Sequence, residues 1–230
     1  MSQSNGSMSS FLSELAGEAT QKLEAQRAQQ QDRQLMTQSV NAALDRTFQF
    51  FNLLTKHLNA LEPEIPRVYA LDGKAHFSQL KWKRGMVEYR KQSLADNALL
   101  DHVFFQVRLT APEPVMLTRR WDRFDETKKE LSAFGLKPLE DMDDLWRSRP
   151  QKDTFQVCLE PEFLIAMHFQ GNYEDGNIDL GLKNLKGFGA MKGKLKSELL
   201  QPGLFDEVGR FLMGRSLALP QELQLAHDFS

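Results

Sequence analysis

The densest run of glycine and lysine in this 230-residue chain is Lys186-Gly187-Phe188-Gly189-Ala190-Met191-Lys192-Gly193-Lys194, which invites comparison with loops that cradle phosphates. A P-loop keeps four residues between its glycines and places a hydroxyl after its lysine to hold Mg²⁺. Counting back from Gly193-Lys194 puts Phe188 where the first glycine belongs, and Leu195 stands where the hydroxyl belongs. A dinucleotide fingerprint opens a helix inside a βαβ unit. Here the spacing is one residue too long and no parallel strand follows. A strand that stacks RNA bases begins Lys-Gly-Phe-Gly and continues with further aromatics, yet Ala190 and Gly193 occupy those places. The segment reads as a glycine-rich bend, with an anion grip by backbone amides and lysines as the lesser reading.

Other chemistry is also nearly present. Asp175, Asn177 and Asp179 have the alternate spacing of a calcium loop, but Leu180 replaces its sharp-turn glycine and Lys186 its bidentate glutamate. Glu140, Asp141, Asp143 and Asp144 read as a solvated acidic loop. The five histidines, His57, His76, His102, His168 and His227, show no metal-ligand spacing. His102 beside Asp101 has the residue types of a dyad, but neighbours in a regular strand point to opposite faces. No Gly-x-Ser-x-Gly elbow is found. Cys158 sits in an alternating strand pattern and reads as a small hydrophobe; as the lone cysteine it permits no disulfide within the chain.

One constellation survives. Lys81-Trp82-Lys83-Arg84 and Tyr89-Arg90-Lys91 flank what reads as a turn, and Arg119-Arg120-Trp121 lies further on. Basic residues mixed with aromatics on a sheet can hold a phosphate backbone and stack bases. The same pattern describes the wet face of an ordinary antiparallel sheet, where long basic stems cover aromatic rings. Residues 67–121 carry ten basic and five acidic residues, and residues 122–180 carry seven and fourteen. The net charge of −2 therefore hides a basic segment followed by an acidic one.

The elements that position these residues begin with a helical stripe. Val40, Leu44, Phe48, Phe51, Leu54, Leu58 and Leu61 recur three or four apart, with Thr47 and Thr55 beside them. Pro63 and Pro66 end the helix. Upstream, residues 1–10 read as disordered. Residues 1–34 as a whole read as a polar arm, helical in part, whose Phe11, Leu12 and Leu15 form a small apolar face. Residues 35–66 form the long amphipathic helix. Residues 67–216 read as an antiparallel domain: a hairpin about Asp72-Gly73, a turn at Lys83-Arg84-Gly85, alternating strands at His102–Thr110, Val115–Arg120, Thr154–Leu159, Phe163–Gln170 and from Ile178, and helices from Asp122 to Phe134 and from Pro202 to Met213. Residues 217–230 are a tail. The fold class is α+β, an N-terminal helical arm followed by an antiparallel sheet of six to eight strands with two packed helices.

Function follows from what is missing as much as from what is present. No nucleophile, metal cluster or cofactor loop reaches workable spacing, so the reading is a non-catalytic interaction or adaptor protein with no cofactor and no metal. Its partner is a protein or a second copy, met through Phe11, Leu12 and Leu15 on the arm and through the sheet surface. The alternative is an anion or nucleic-acid binder using Lys81, Trp82, Lys83, Arg84, Arg90, Arg120 and Trp121. No apolar run approaches the roughly 20 residues that span a bilayer. With a single cysteine and no signal-peptide pattern, the expected location is cytoplasmic.

Overall fold

A computed structural model describes residues 10–95, 97–148 and 153–225. The reading of residues 1–10 as disordered lies outside them, save for Ser10, the first residue of helix α1 (Ser10–Leu61). Among the described residues ten strands and four further α-helices follow. Six strands form the main sheet, in the order β1 (Glu64–Ile65), β4 (Leu80–Lys91), β5 (Leu100–Thr110), β8 (Glu162–Asn172), β9 (Asn177–Lys183) and β10 (Ala190–Lys196). Every pairing is antiparallel. Short ribbons are made by β2 (Tyr69–Ala70) with β3 (His76–Phe77), and by β6 (Val115–Arg120) with β7 (Thr154–Leu159). The architecture is α+β.

Alternation in β5 and β8 makes one face of the sheet apolar, with Val103, Phe105, Val107, Ile165, Met167 and Phe169 all buried. The stripe of α1 lies on that face. Val40, Leu44, Thr47, Phe51, Thr55 and Leu58 are buried, whereas Leu61, past the sheet, is exposed. Phe51 sits at the centre, stacked 4.4 Å from Phe105 and close to Phe169 and Phe205. Phe205 belongs to helix α4 (Pro202–Leu212), which packs beside α1 through the stacked rings of Phe50 and Phe205.

A second cluster lies under the β6–β7 ribbon. Trp121 and Phe124, at the start of helix α2 (Phe124–Phe134), meet Phe155 and Trp146. Trp146 is carried by helix α3 (Met142–Arg147), in a segment whose acidity reads as loop. Asp141 caps that helix by accepting from the Asp143 amide at 2.7 Å, and Met142 buries its side chain. Asp141 is thus a cap, and Asp143 and Asp144 are partners of Lys128 and Arg147.

Three further features differ from the pattern read in the sequence. Lys83-Arg84-Gly85 is no turn: β4 runs straight through it with a bulge, since Trp82 faces Leu109 and Arg84 faces Arg108, leaving Lys83 as the extra residue. Gly85 is there because a Cβ would collide with the Trp82 ring. The Asn59 carboxamide of α1 closes the bulge. Its Oδ1 accepts from Trp82 Nε1 at 2.8 Å and from Gly85 N at 2.6 Å, and its Nδ2 donates to Gly85 O at 2.9 Å. The glycine-rich bend is confined to Asn184–Gly189, and β10 follows it as an edge strand. Buried Asn184 holds this bend, donating to Phe134 O and Leu164 O and accepting from Gly189 N. The segment read as a tail contains helix α5 (Gln221–Leu225), with Leu219 and Leu223 buried.

Candidate functional site

Two surfaces of the fold are candidates. The first is the N-terminal half of α1. Residues 12–35 are exposed along their whole length, and α1 runs without a break past position 34 into its buried half. At 1.5 Å per residue the exposed half extends about 36 Å. Leu12, Leu15, Leu23 and Leu35 are large apolar residues left in water there. Phe11 lies in the helix, but its side chain is outside the described residues. A turn of about 100° per residue puts Leu12, Leu15, Ala16, Ala19 and Leu23 on one narrow seam. Lys22, Arg27 and Arg33 then fall within about 80° of that seam, while Glu14, Glu18, Glu24 and Asp32 fall more than about 110° away. The arm therefore carries an apolar line with basic flanks and an acidic back.

The second surface is the outer face of the main sheet, turned away from α1. Successive pairings place Arg90, His102, Gln170, Asp179 and Lys194 in one row across five strands, and Glu88, Phe104, His168, Gly181 and Lys192 in the next. A second bulge lies here. Arg90 faces His102 and Lys91 faces Leu100, so Asp101 is the extra residue and shares a side with His102. The expected opposition of Asp101 and His102 fails for this reason. His102 Nδ1 donates to Asp101 Oδ2 at 2.9 Å, and Gln170 Nε2 donates to Asp101 Oδ1 at 2.8 Å. Chiefly the hydrogen bond from His102 holds the Asp101 carboxyl below its ordinary range. The His102 and His168 rings are 4.9 Å apart. Partial burial, followed by the charge of His102, pushes His168 below the usual imidazole value. Beside them Gly181 leaves an open hollow of about 380 Å³, bordered by His168, Gln170, Asp179 and Lys192.

The seven residues read as an anion site do not form one surface. Lys81, Lys83, Arg84 and Arg90 are exposed on β4. Arg90 is six residues beyond Arg84, about 20 Å along the strand. Arg120 stands on the separate β6–β7 ribbon, paired with Asp122 at 3.1 Å. Trp82 and Trp121 are core residues and present no ring face to a base. Lys83 and Arg84 do come together, and Arg108 joins them from β5. Alternation along β5 turns Arg108 and Phe104 outward; the register that brings Arg108 opposite Arg84 has no local signal.

Among the described residues no three His, Cys, Asp or Glu side chains converge as a metal site, and no helix is long and apolar enough to cross a membrane. Compared with protein-family models, with curated proteins and with solved structures, the chain matches none.

Proposed function

We propose that this protein is an interaction or adaptor module whose docking element is the projecting half of α1, and that its partner is a protein with an apolar groove rimmed by acidic residues. The observation that carries this reading is the exposed run from residue 12 to residue 35 at the head of a helix whose other half is core. A helix with no covering partner gains nothing from packing and is marginal in water. Leu15 and Leu23 offer it a seam, and amphipathic helices of this kind dock in grooves through anchors three, four and seven apart. Charge selects the occupant. Lys22, Arg27 and Arg33 flank the seam, so a second copy laid along it would set like charges side by side. An acidic rim would pair with them instead. The root of the helix is fixed to the sheet by Phe51 and by the Asn59 latch, so the arm is tethered at one place on the fold.

The test uses the full chain as bait in a lysate of its source cells, beside a Leu15→Glu/Leu23→Glu variant and a Lys22→Glu/Arg27→Glu variant. A protein retained by the wild type, lost from both variants and released by salt supports the reading. Equal retention by all three baits, or a wild-type dimer in sedimentation that Leu15→Glu/Leu23→Glu dissolves, overturns it.

A further inference from the structure

We propose that the hollow between Lys83, Arg84 and Arg108 on the outer face of the sheet binds a small phosphate-bearing molecule. The site is created by the first bulge. A regular strand would turn Lys83 and Arg84 to opposite faces; the extra residue leaves both exposed beside one another. Arg84 faces Arg108 directly across the strand pair. Like charges in that position are destabilising, so the fold holds here a concentration of positive charge that its own stability opposes. Glu162 answers part of it, pairing with Lys83 and lying 3.6 Å from Arg108. Glu62, among the lining residues, is a second carboxylate, leaving three basic groups against two acidic ones. The Arg84 guanidinium has neither an ion pair nor a hydrogen bond among the described residues.

The shape fits the charge. The hollow measures about 630 Å³, and Met86, Gln106 and Leu164 line it. Concave sites of small organic ligands span roughly 300–1,000 Å³ and combine apolar lining with a few placed polar groups. Two guanidinium forks beside an ammonium match the oxygens of a phosphate, which accept paired N–H donors and carry more charge than one carboxylate. The phosphate would sit between Arg84 and Arg108 and relieve their repulsion. The body of the molecule would lie over Met86 and Leu164, with the Gln106 carboxamide able to donate to it or accept from it. This site is independent of the arm and uses none of its residues.

The experiment is calorimetric titration of the full chain at low salt with inorganic pyrophosphate, adenosine 5′-monophosphate, adenosine and citrate, repeated on Arg84→Gln and Arg108→Gln. Pyrophosphate and the monophosphate should bind, adenosine should not, and binding should weaken with added salt. Each substitution should reduce affinity by about tenfold or more. In the absence of ligand, Arg84→Gln should melt at or above the wild-type temperature, because it removes a like-charge pair; a residue whose role is structural would lower it. A monophosphate tighter than pyrophosphate identifies an organic phosphate as the ligand, and the reverse order identifies a free one. The proposal is overturned if neither phosphate binds, if binding survives both substitutions, or if citrate binds as tightly as pyrophosphate.

Discussion

Replacing Asn59 with alanine tests how α1 is fixed to the sheet. Its carboxamide makes three hydrogen bonds across the β4 bulge, two accepted by Oδ1 from Trp82 Nε1 and Gly85 N and one donated by Nδ2 to Gly85 O. Truncation leaves the Trp82 indole N–H without an acceptor inside the core, where the ring is only 1% exposed. A buried donor left unmade costs about 1–3 kcal/mol. The two Gly85 groups add to this, though they lie at a partly buried position that water can enter. The expected loss is therefore about 3 kcal/mol. Urea unfolding followed by tryptophan fluorescence measures it, and the Trp82→Phe variant completes a double-mutant cycle. Asn59 and Trp82 share one hydrogen bond, so the cycle should show a coupling of about 0.5–3 kcal/mol. A loss below about 1 kcal/mol, or strictly additive single changes, would refute the latch.

Three more outcomes are expected. Phe51→Ala should cost about 3–5 kcal/mol in the same unfolding assay, because the ring is fully enclosed among Phe105, Phe169 and Phe205. Deleting residues 1–34 should change the unfolding free energy by less than about 1 kcal/mol, since positions 12–34 bury nothing in the fold. The Asp72 carboxyl is held down at about 2, chiefly by the Ala75 and Lys74 amides and then by Arg119. Its contribution is thus present above the ordinary carboxyl value of 3.8 and is lost as pH falls through about 2. Asp72→Asn should be less stable than wild type at neutral pH, and acid titration of both should close the gap between pH 4 and 2.

The legible parts of the fold are those whose signal is local. The stripe from Val40 to Leu58 keeps a helical period, and the alternation of β5 and β8 sorts Phe105 inward and His168 outward. Asp72 does turn the chain, accepting from the Lys74 and Ala75 amides at 2.7 Å. Bulges carry no such mark. Lys83-Arg84-Gly85 resembles a turn by composition, but Gly85 serves the close approach of a buried tryptophan, which only the tertiary fold reveals. The same limit hid the Asp101–His102 contact and sent Trp82 to a binding face instead of the core. Alternation alone makes Arg108, Phe104 and His168 outward-facing; which neighbours they meet depends on the bulged register of β4 on β5 and on the pairing of β5 with β8, which lies about fifty residues further along the chain. The arm was legible as polar helix, but its continuity with the core helix was not, because the Gln-rich stretch has no buried face to announce it.

The docking role of the arm is tested most directly by amide hydrogen exchange, measured on the free chain and on the complex recovered with the partner. In the free chain, residues 40–58 should be protected and residues 12–34 should exchange quickly, as unsupported helix does. In the complex, protection should appear across Leu15–Leu23 and extend to Arg27. Protection of residues 12–34 already present in the free monomer would show that the arm packs on its own fold. An arm that still exchanges quickly in the complex would contradict the proposed role outright.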